Sequence, residues 1–516
     1  MRPKRDNESM TTRAFIGTMA AGAVAVFLAP LVAAQVAGTK PLNVVFIVIE
    51  DMSPHLGCYG NPFIKTPNID RLAKSGVLFT NAICNSPLCG PSRASFCTGR
   101  MPEATGVIVH NRRGLGGRIP ELNSIDWHRH LPNVVTLPHH FKNNGYVTGH
   151  IGKIFNHTPC TQEPRAWSVT TEDWCDGKDS SAMRAELHKE FFPGKKPYRL
   201  QWNKPDRPRW GCAEDYPCGW ALSPVFATRV ASRFLDKYAD AGKPFFFGVG
   251  HHLPHEPFFA PKKYYDLYPT DAIPASLVHT GRKIPGTRNS VIGKAGELPD
   301  ESKVRQSIQA QYATITYMDE YVGRLLDDLD RRGLRDKTAI VLFSDHGLVV
   351  DGTAGCWGKS NIHSINVPLI ISAPGMKRGA VCERVVQLVD LYPTLVDLCG
   401  LELPAGQKFD GRSMVPLLKE PETAEWEDIA YSCMCWWKCI RTQEWLYYTK
   451  VNASGEQTAA HLYDVKSDPR LTKDVLETKP HDEKVQDVER KMRRLMATMD
   501  DKYPDEPARQ RFLQVQ

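Results

Sequence analysis

Three apolar runs, each stopping at residues with chemistry, constrain this chain most. Leu42–Ile49 ends at Glu50-Asp51, Pro244–Gly250 at His251-His252-Leu253-Pro254-His255, and Thr338–Phe343 at Ser344-Asp345-His346-Gly347. A fourth run, Val367–Ser372, follows Lys359, and a fifth, Tyr146–Ile151, leads into Gly152-Lys153-Ile154-Phe155-Asn156-His157. Unbroken runs of β-branched and aromatic residues predict strands buried on both faces, as in the central sheet of α/β proteins. Helical spacing is read over Val135–Asn144, Val225–Tyr238 and Val304–Arg332. The alternation predicts an α/β class with a large, mostly parallel sheet between helices. Ligands in such sheets bind beyond the carboxyl ends of the strands, so the polar residues at the run ends predict one shared rim.

A second signal lies at Cys89-Gly90-Pro91-Ser92-Arg93-Ala94-Ser95-Phe96-Cys97-Thr98-Gly99-Arg100. Pro91 lacks an amide proton and presets its backbone angle, which suits the first turn of a helix. Cys89 then sits at a helix N-terminus, where free amides and the dipole favour an anion, and Arg93 adds positive charge one turn on. The stretch predicts an oxyanion site. The bland alternative is a cysteine in a disulfide or in the core. Across the rim, Glu50, Asp51, Asp345 and His346 are available to a hard divalent cation, which would neutralise anionic oxygens and acidify a bound hydroxyl. Lysines and histidines add charge and proton transfer.

The Cys89–Arg100 residues resemble the sulfatase signature, Cys-x-Pro-Ser-Arg followed by Thr-Gly-Arg. The resemblance continues at each rim position and implies an alkaline-phosphatase-like fold. It implies that a formylglycine-generating maturation enzyme oxidises Cys89 and that Glu50, Asp51, Asp345, His346 and the converted Cys89 side chain bind calcium. It also implies that Arg93 stabilises the formylglycine hydrate and that Lys153 and Lys359 bind sulfate. His252 would hydrogen-bond the sulfate or protonate the leaving oxygen, with His255 a further substrate contact and His251 and His363 weaker candidates. One hydroxyl of the hydrate attacks sulfur, the alcohol leaves, and the second hydroxyl expels sulfate. Within the family, Leu56-Gly57-Cys58-Tyr59-Gly60, Gly152-Lys153-Ile154-Phe155 and His252-Leu253-Pro254-His255 resemble the iduronate-2-sulfatase subgroup, which implies a sulfated carbohydrate substrate.

Three positions depart from the pattern. Cys97 replaces a usual leucine, where a buried thiol can act as a small hydrophobe. Glu50 replaces the first aspartate of the usual pair. His157 comes four residues after the lysine, with Asn156 where the histidine is expected; His157 is preferred as the catalytic base. Two rival readings stand beside the sulfatase: a phosphate or phosphonate ester hydrolase with the same metal rim, and an unmatured sulfated-glycan-binding protein.

Length and composition set the remaining bounds. The 516 residues, 42% hydrophobic and 24% charged, can hold more than one core. The expected division is a catalytic domain over 40–410 and a smaller antiparallel α+β subdomain over 411–516. Net charge of +7 without a concentrated basic run argues against nucleic acid. Lys4, Arg5 and Arg13 precede an apolar run from Ala14 to Ala34, which predicts a secretory signal over 1–35 and an exported protein with no membrane span after cleavage. An uncleaved anchor is the competing reading. Of 14 cysteines, Cys160 with Cys175, Cys212 with Cys218, and the Cys433/Cys435/Cys439 group are candidate disulfide partners. The segment from Pro159 to Trp220 reads as a long insertion shaping the pocket.

Overall fold

The computed structural model describes residues 41–108, 127, 131–156, 163–169, 180–201, 208–278, 300–348, 350, 362–434, 437–451, 457–469, 471 and 473–502. The 1–35 leader, His157, Lys359 and cysteines 160, 175, 356 and 435 fall outside them. Residues 41–516 form one compact unit.

Each apolar run is a strand. In chain order they are β1 (Asn43–Ile49), β2 (Val77–Ile83), β3 (Val147–Gly152), β4 (Trp210–Cys212), β5 (Phe245–His251), β6 (Phe258–Ala260), β7 (Thr338–Ser344), β8 (Asn366–Ser372) and β9 (Ala380–Gln387). Seven of them form a mixed sheet in the order β3-β5-β1-β7-β8-β2-β9. Side chains alternate across it: Val45, Ile47 and Ile49 enter one apolar core, while Val44, Phe46 and Val48 enter another. That two-sided burial is why β1, β5, β7 and β8 carry no polar residue in their interiors. The Ser223–Tyr238 and Glu301–Arg331 helices pack on the first face; the Cys89–Thr98, Leu137–Asn143 and Leu391–Leu398 helices cover the second.

The mostly parallel sheet contains one antiparallel strand. Strands β3, β5, β1 and β7 are mutually parallel, but β8 runs antiparallel to β7 and to β2. The chain leaves β7 at Ser344 and re-enters the sheet at Asn366 from the same edge, without the crossover that a parallel neighbour requires. The amino end of β8 therefore lies at the rim, and Ser372 at the opposite edge.

Strands β10 (Ala430–Met434), β11 (Trp437–Arg441), β12 (Trp445–Val451) and β13 (Gln457–Asp464) make a separate antiparallel sheet, followed by the Glu483–Lys502 helix. This sheet is tied to the chain just ahead of Cys89: Cys433 N–H donates to the Asn85 carbonyl at 2.9 Å, and Asn85 Nδ2 donates to the Tyr431 carbonyl at 3.1 Å. Among the described cysteines, Cys212, Cys218 and Cys439 carry free thiols, so Cys212 and Cys218, and Cys433 and Cys439, are not bridged to each other. Most are buried and behave as small apolar side chains.

Close backbone approach occurs where β3 meets β5. Gly152 pairs with Gly250, and a Cβ on Gly250 would fall inside the backbone of Lys153. A Gly250→Ala substitution is expected to destabilise by about 1–3 kcal/mol or more, since main chain must move to admit a methyl. Denaturant unfolding checks this; unchanged stability would show that the strand ends are slack.

Candidate active site

Strand pairing alone brings the rim residues together. Ile49 of β1 stands opposite His251 of β5 and opposite Ser344 of β7. The next residues therefore emerge side by side: Glu50 N–H donates to the His251 carbonyl at 3.2 Å, and Asp345 N–H to the Ile49 carbonyl at 3.1 Å. Lys153 N–H continues the β3–β5 ladder by donating to Gly250 O at 3.2 Å. Asp51 then turns with φ of 58°, a left-handed conformation uncommon outside glycine, and its N–H donates to Asp345 Oδ1 at 3.1 Å. Strained backbone of this kind is held only where its surroundings over-determine it.

The Cys89–Thr98 helix faces this rim, and every residue in it is buried. Leu88 is its N-cap, Pro91 lies in the first turn, and Gly99 closes it in the left-handed conformation with its N–H on Ser95 O. Cys97 is fully buried, as its apolar role requires. Cys89 Sγ lies 3.4 Å from Glu50 Oε1 and 3.1 Å from His346 Nε2. One turn on, Arg93 Nε bonds Asp345 Oδ2 at 2.9 Å, with both side chains at most 1% exposed. Arg93 also donates to the carbonyls of Lys153 and Ile154, while its Nη2 is buried with no hydrogen-bond partner among the described residues. Ser92 Oγ donates to Asp345 O at 2.5 Å.

The two adjacent acids are used differently. Glu50 pairs through Oε1 with Lys153, and its Oε2 lies 3.4 Å from His252 Nδ1. Burial opposes its ionisation, but Lys153, His255, His252 and Arg93 outweigh that and hold its carboxyl well below the usual range. Neither Asp51 oxygen accepts a hydrogen bond, although Oδ1 lies 3.1 Å from His346 Nε2 and Oδ2 3.8 Å from His255 Nε2. Burial pushes Asp51 well above its ordinary value, with Glu50 and Asp345 adding to it against His346 and Lys153. Burial also pushes the Cys89 thiol well up, despite Lys153, and the three acids reinforce it.

A sulfatase family model matches residues 42–401, which span every rim residue described above. The chain belongs to the sulfatase family. A second family model, described as the C-terminal part of N-sulphoglucosamine sulphohydrolase, matches residues 355–498. Iduronate 2-sulfatase of Homo sapiens is 32% identical over 425 residues, covering 71% of this chain and 70% of that protein. The ulvan-active sulfatase of Formosa agariphila is 27% identical and covers 90% of this chain and 83% of its own length. Two solved structures share the fold. One, crystallised with its substrate D-glucosamine-2-N,6-O-disulfate, has a TM-score of 0.65, 22% identity and coverage of 90% and 99%. The other, the phosphonate monoester hydrolase of Agrobacterium radiobacter, has a TM-score of 0.66, 21% identity and coverage of 89% and 96%. This sulfatase is a sulfuric ester hydrolase of the alkaline-phosphatase superfamily.

With all three carboxylates ionised, this sulfatase's site carries one negative charge more than its arginine and lysine offset. Glu50, Asp51 and Asp345 bring three potential negative charges, and Arg93 and Lys153 two positive ones. Two like charges about 4 Å apart cost about 4 kcal/mol at an effective dielectric near 20, too much to leave uncompensated. Asp51 groups with Cys89 and His346, and Glu50 with Cys89 and Asp345, closely enough to hold a metal ion, and the Asp51 oxygens, without a hydrogen bond among the described residues, suit a hard, oxygen-seeking divalent ion. His252 and His255 reach the rim, with side chains 20% and 14% exposed. His251 is 1% exposed and burial pushes it down to about 4, so it presents no face to a substrate. Asn156 is buried beside this site's lysine strand, while His157, Lys359 and the His363 side chain lie outside the described residues.

Three contacts carry no clear mark in the sequence. Ser344 Oγ accepts from Met52 N–H and donates toward Ile49 O, bracing the turn after β1. Trp220 stacks on His252, and Arg209 pairs with Glu256 beside the histidine loop. The sole sequence signal for the last two is a Trp- and Arg-containing stretch in the insertion.

The Arg93–Asp345 pair gives a direct test. Arg93→Met leaves Asp345 buried and uncompensated and is expected to cost about 3–5 kcal/mol. Urea unfolding measures it. A loss below about 1 kcal/mol would mean the pair is not desolvated as described.

Proposed function

We propose that this sulfatase is exported and removes sulfate from a sulfated carbohydrate, using formylglycine made from Cys89 and a bound calcium ion. The observation that carries the reading is the placement of Cys89 at a helix N-terminus between Glu50 and His346, with Arg93 one turn away. Iduronate 2-sulfatase and ulvan-active sulfatase among its relatives support a sulfated glycan as substrate. The apolar run Ala14–Ala34 supports export, and no described helix is long and apolar enough to cross a membrane. The division into a catalytic domain over 40–410 and a subdomain over 411–516 is part of the same proposal.

Asp51, Asp345, His346 and Glu50 would hold the cation, together with the converted side chain at position 89. Calcium there would neutralise sulfate oxygens and favour the ionised nucleophile. The residues of the chain supply the rest. Lys153, and Lys359 by resemblance, draw the sulfate in by charge. Arg93 holds its guanidinium against Asp345, and its buried Nη2 can donate to the group at position 89. His252 and His255 stand at the opening, where the ester's bridging oxygen leaves. His157 is assigned the later proton transfer, with Asn156 as its rival.

The multifunctional alkaline phosphatase superfamily protein PehA of Trinickia caryophylli, 29% identical over 438 residues, keeps phosphate or phosphonate ester hydrolysis as the second reading. Release of sulfate against phosphate from matched aryl esters separates the two. Cys89→Ala is expected to abolish turnover with circular dichroism unchanged. Peptide mass spectrometry of the native protein is expected to show residue 89 about 18 Da lighter than cysteine, as replacing the thiol-bearing carbon by an aldehyde requires. An active Cys89→Ala protein would refute the nucleophile. Comparing His157→Ala with Asn156→Ala assigns the base: a loss confined to the Asn156 variant reverses the choice.

A further inference from the structure

Trp220 stands at the far end of the insertion, and its indole lies against both rim histidines. Its ring stacks on His252 with centroids 5.1 Å apart and planes at 25°. It meets His255 edge-on at 5.5 Å and 69°. Its Nε1–H donates to the Pro257 carbonyl at 3.1 Å, which fixes the indole in its own plane.

The surrounding chain holds that contact in place. β4 and β6 pair Trp210–Cys212 with Phe258–Ala260, and Phe258 N–H donates to Arg209 O at 2.8 Å. Arg209 Nη1 bonds Glu256 Oε2 at 2.6 Å, and Glu256 is 6% exposed. The segment 209–220 is thus fastened at several points to the loop that carries His252 and His255. His252 has its Nδ1 edge against Glu50 Oε2 and one ring face against the indole. A ring held on one edge and one face has little freedom about its two side-chain torsions, so the opposite edge, with Nε2, keeps a set direction.

We propose that Trp220 is a positioning residue for sulfate-ester cleavage: it sets the His252 ring so that Nε2 faces the bridging oxygen of the ester. This rests on the reading of His252 as the group that serves the leaving oxygen. As the S–O bond breaks, its electron pair stays with the alcohol oxygen. The proton that Nε2 carries passes to that oxygen, leaving a free alcohol, and solvent returns a proton to the ring. Orientation of this kind matters because a misplacement of about 1 Å can cost about 10²-fold in rate.

The test is a leaving-group series of substituted phenyl sulfates, from 4-nitrophenyl to 4-methoxyphenyl, with the native enzyme, Trp220→Ala, Trp220→Phe and His252→Ala. A nitrophenolate leaves with little help, whereas a poorer leaving group needs its proton. Trp220→Ala is expected to lower kcat slightly for 4-nitrophenyl sulfate and about 10²-fold for the poorest leaving group. Its KM should stay within about two-fold, since the indole acts through His252 and not through substrate binding. Trp220→Phe keeps an aromatic face and should retain most of the native dependence. If Trp220→Ala does not fold, Trp220→Leu takes its place, and the steeper dependence is expected there. A uniform loss across the series, or a rise in KM alone, overturns the proposal. His252→Ala separates the two levels of the argument. If it steepens the dependence and the Trp220 variants do not, the role of Trp220 fails while that of His252 stands. If it leaves the dependence unchanged, the reading of His252 itself fails.

Discussion

In-register parallel pairing of β3, β5, β1 and β7 is the constraint on which the site depends. Neighbouring strands lie about 4.8 Å apart, so residues that leave the sheet at matched positions begin as close neighbours. Ile49, opposite both His251 and Ser344, puts Glu50 beside Asp345 and His252. Side chains alternate between faces, so a slip of one residue in any of these strands would send its catalytic candidate to the wrong side. The double-sided core prevents such a slip. Moving β1 by one place would exchange its Val45/Ile47/Ile49 set for Val44/Phe46/Val48 in cores already filled.

The Cys89–Thr98 helix is docked by polar contacts as much as by packing. Ser92 and Arg93 both bind Asp345, one through its carbonyl and one through its carboxylate. Arg93 also spans to the carbonyls after β3, so one guanidinium ties the helix to two strand ends. A buried ion pair adds little net stability over an apolar replacement, yet breaking it is costly. The value of such a pair lies in holding geometry, here the direction in which residue 89 faces Glu50 and His346. The C-terminal sheet supports the same helix from behind through Asn85, which bonds Tyr431 and Cys433.

Opposed charges explain why Glu50 and Asp51 differ despite being adjacent. Glu50 has the longer side chain and reaches across to Lys153 and His252, which keep it ionised. Asp51 is turned by its left-handed backbone, and its carboxylate takes no hydrogen bond from the described residues while lying among neighbouring acids. Lys153, His252 and His255 stand against these same carboxylates, so positive and negative groups alternate across the site.

Much of this architecture is legible in the amino-acid sequence. Unbroken apolar runs report two-sided burial, a property of each strand by itself, so the sheet and its polar run ends can be read at Leu42–Asp51, Pro244–His255 and Thr338–Gly347. The Cys89 helix start is equally local, because proline and the helix dipole act within one turn. Strand direction is not local: β8 has the composition of its parallel neighbours, yet it runs antiparallel to β7. Strand β9 leaves little trace because its alternating, half-exposed side chains lack the apolar signal of the central strands. Proximity in sequence suggests a bridge between Cys212 and Cys218, but both thiols stay free. Sequence therefore says which residues are able to do chemistry and on which strand ends they stand. Which acid meets the lysine, which lies unpartnered and which tryptophan holds the histidine are settled by the fold, since those contacts join segments far apart in the chain.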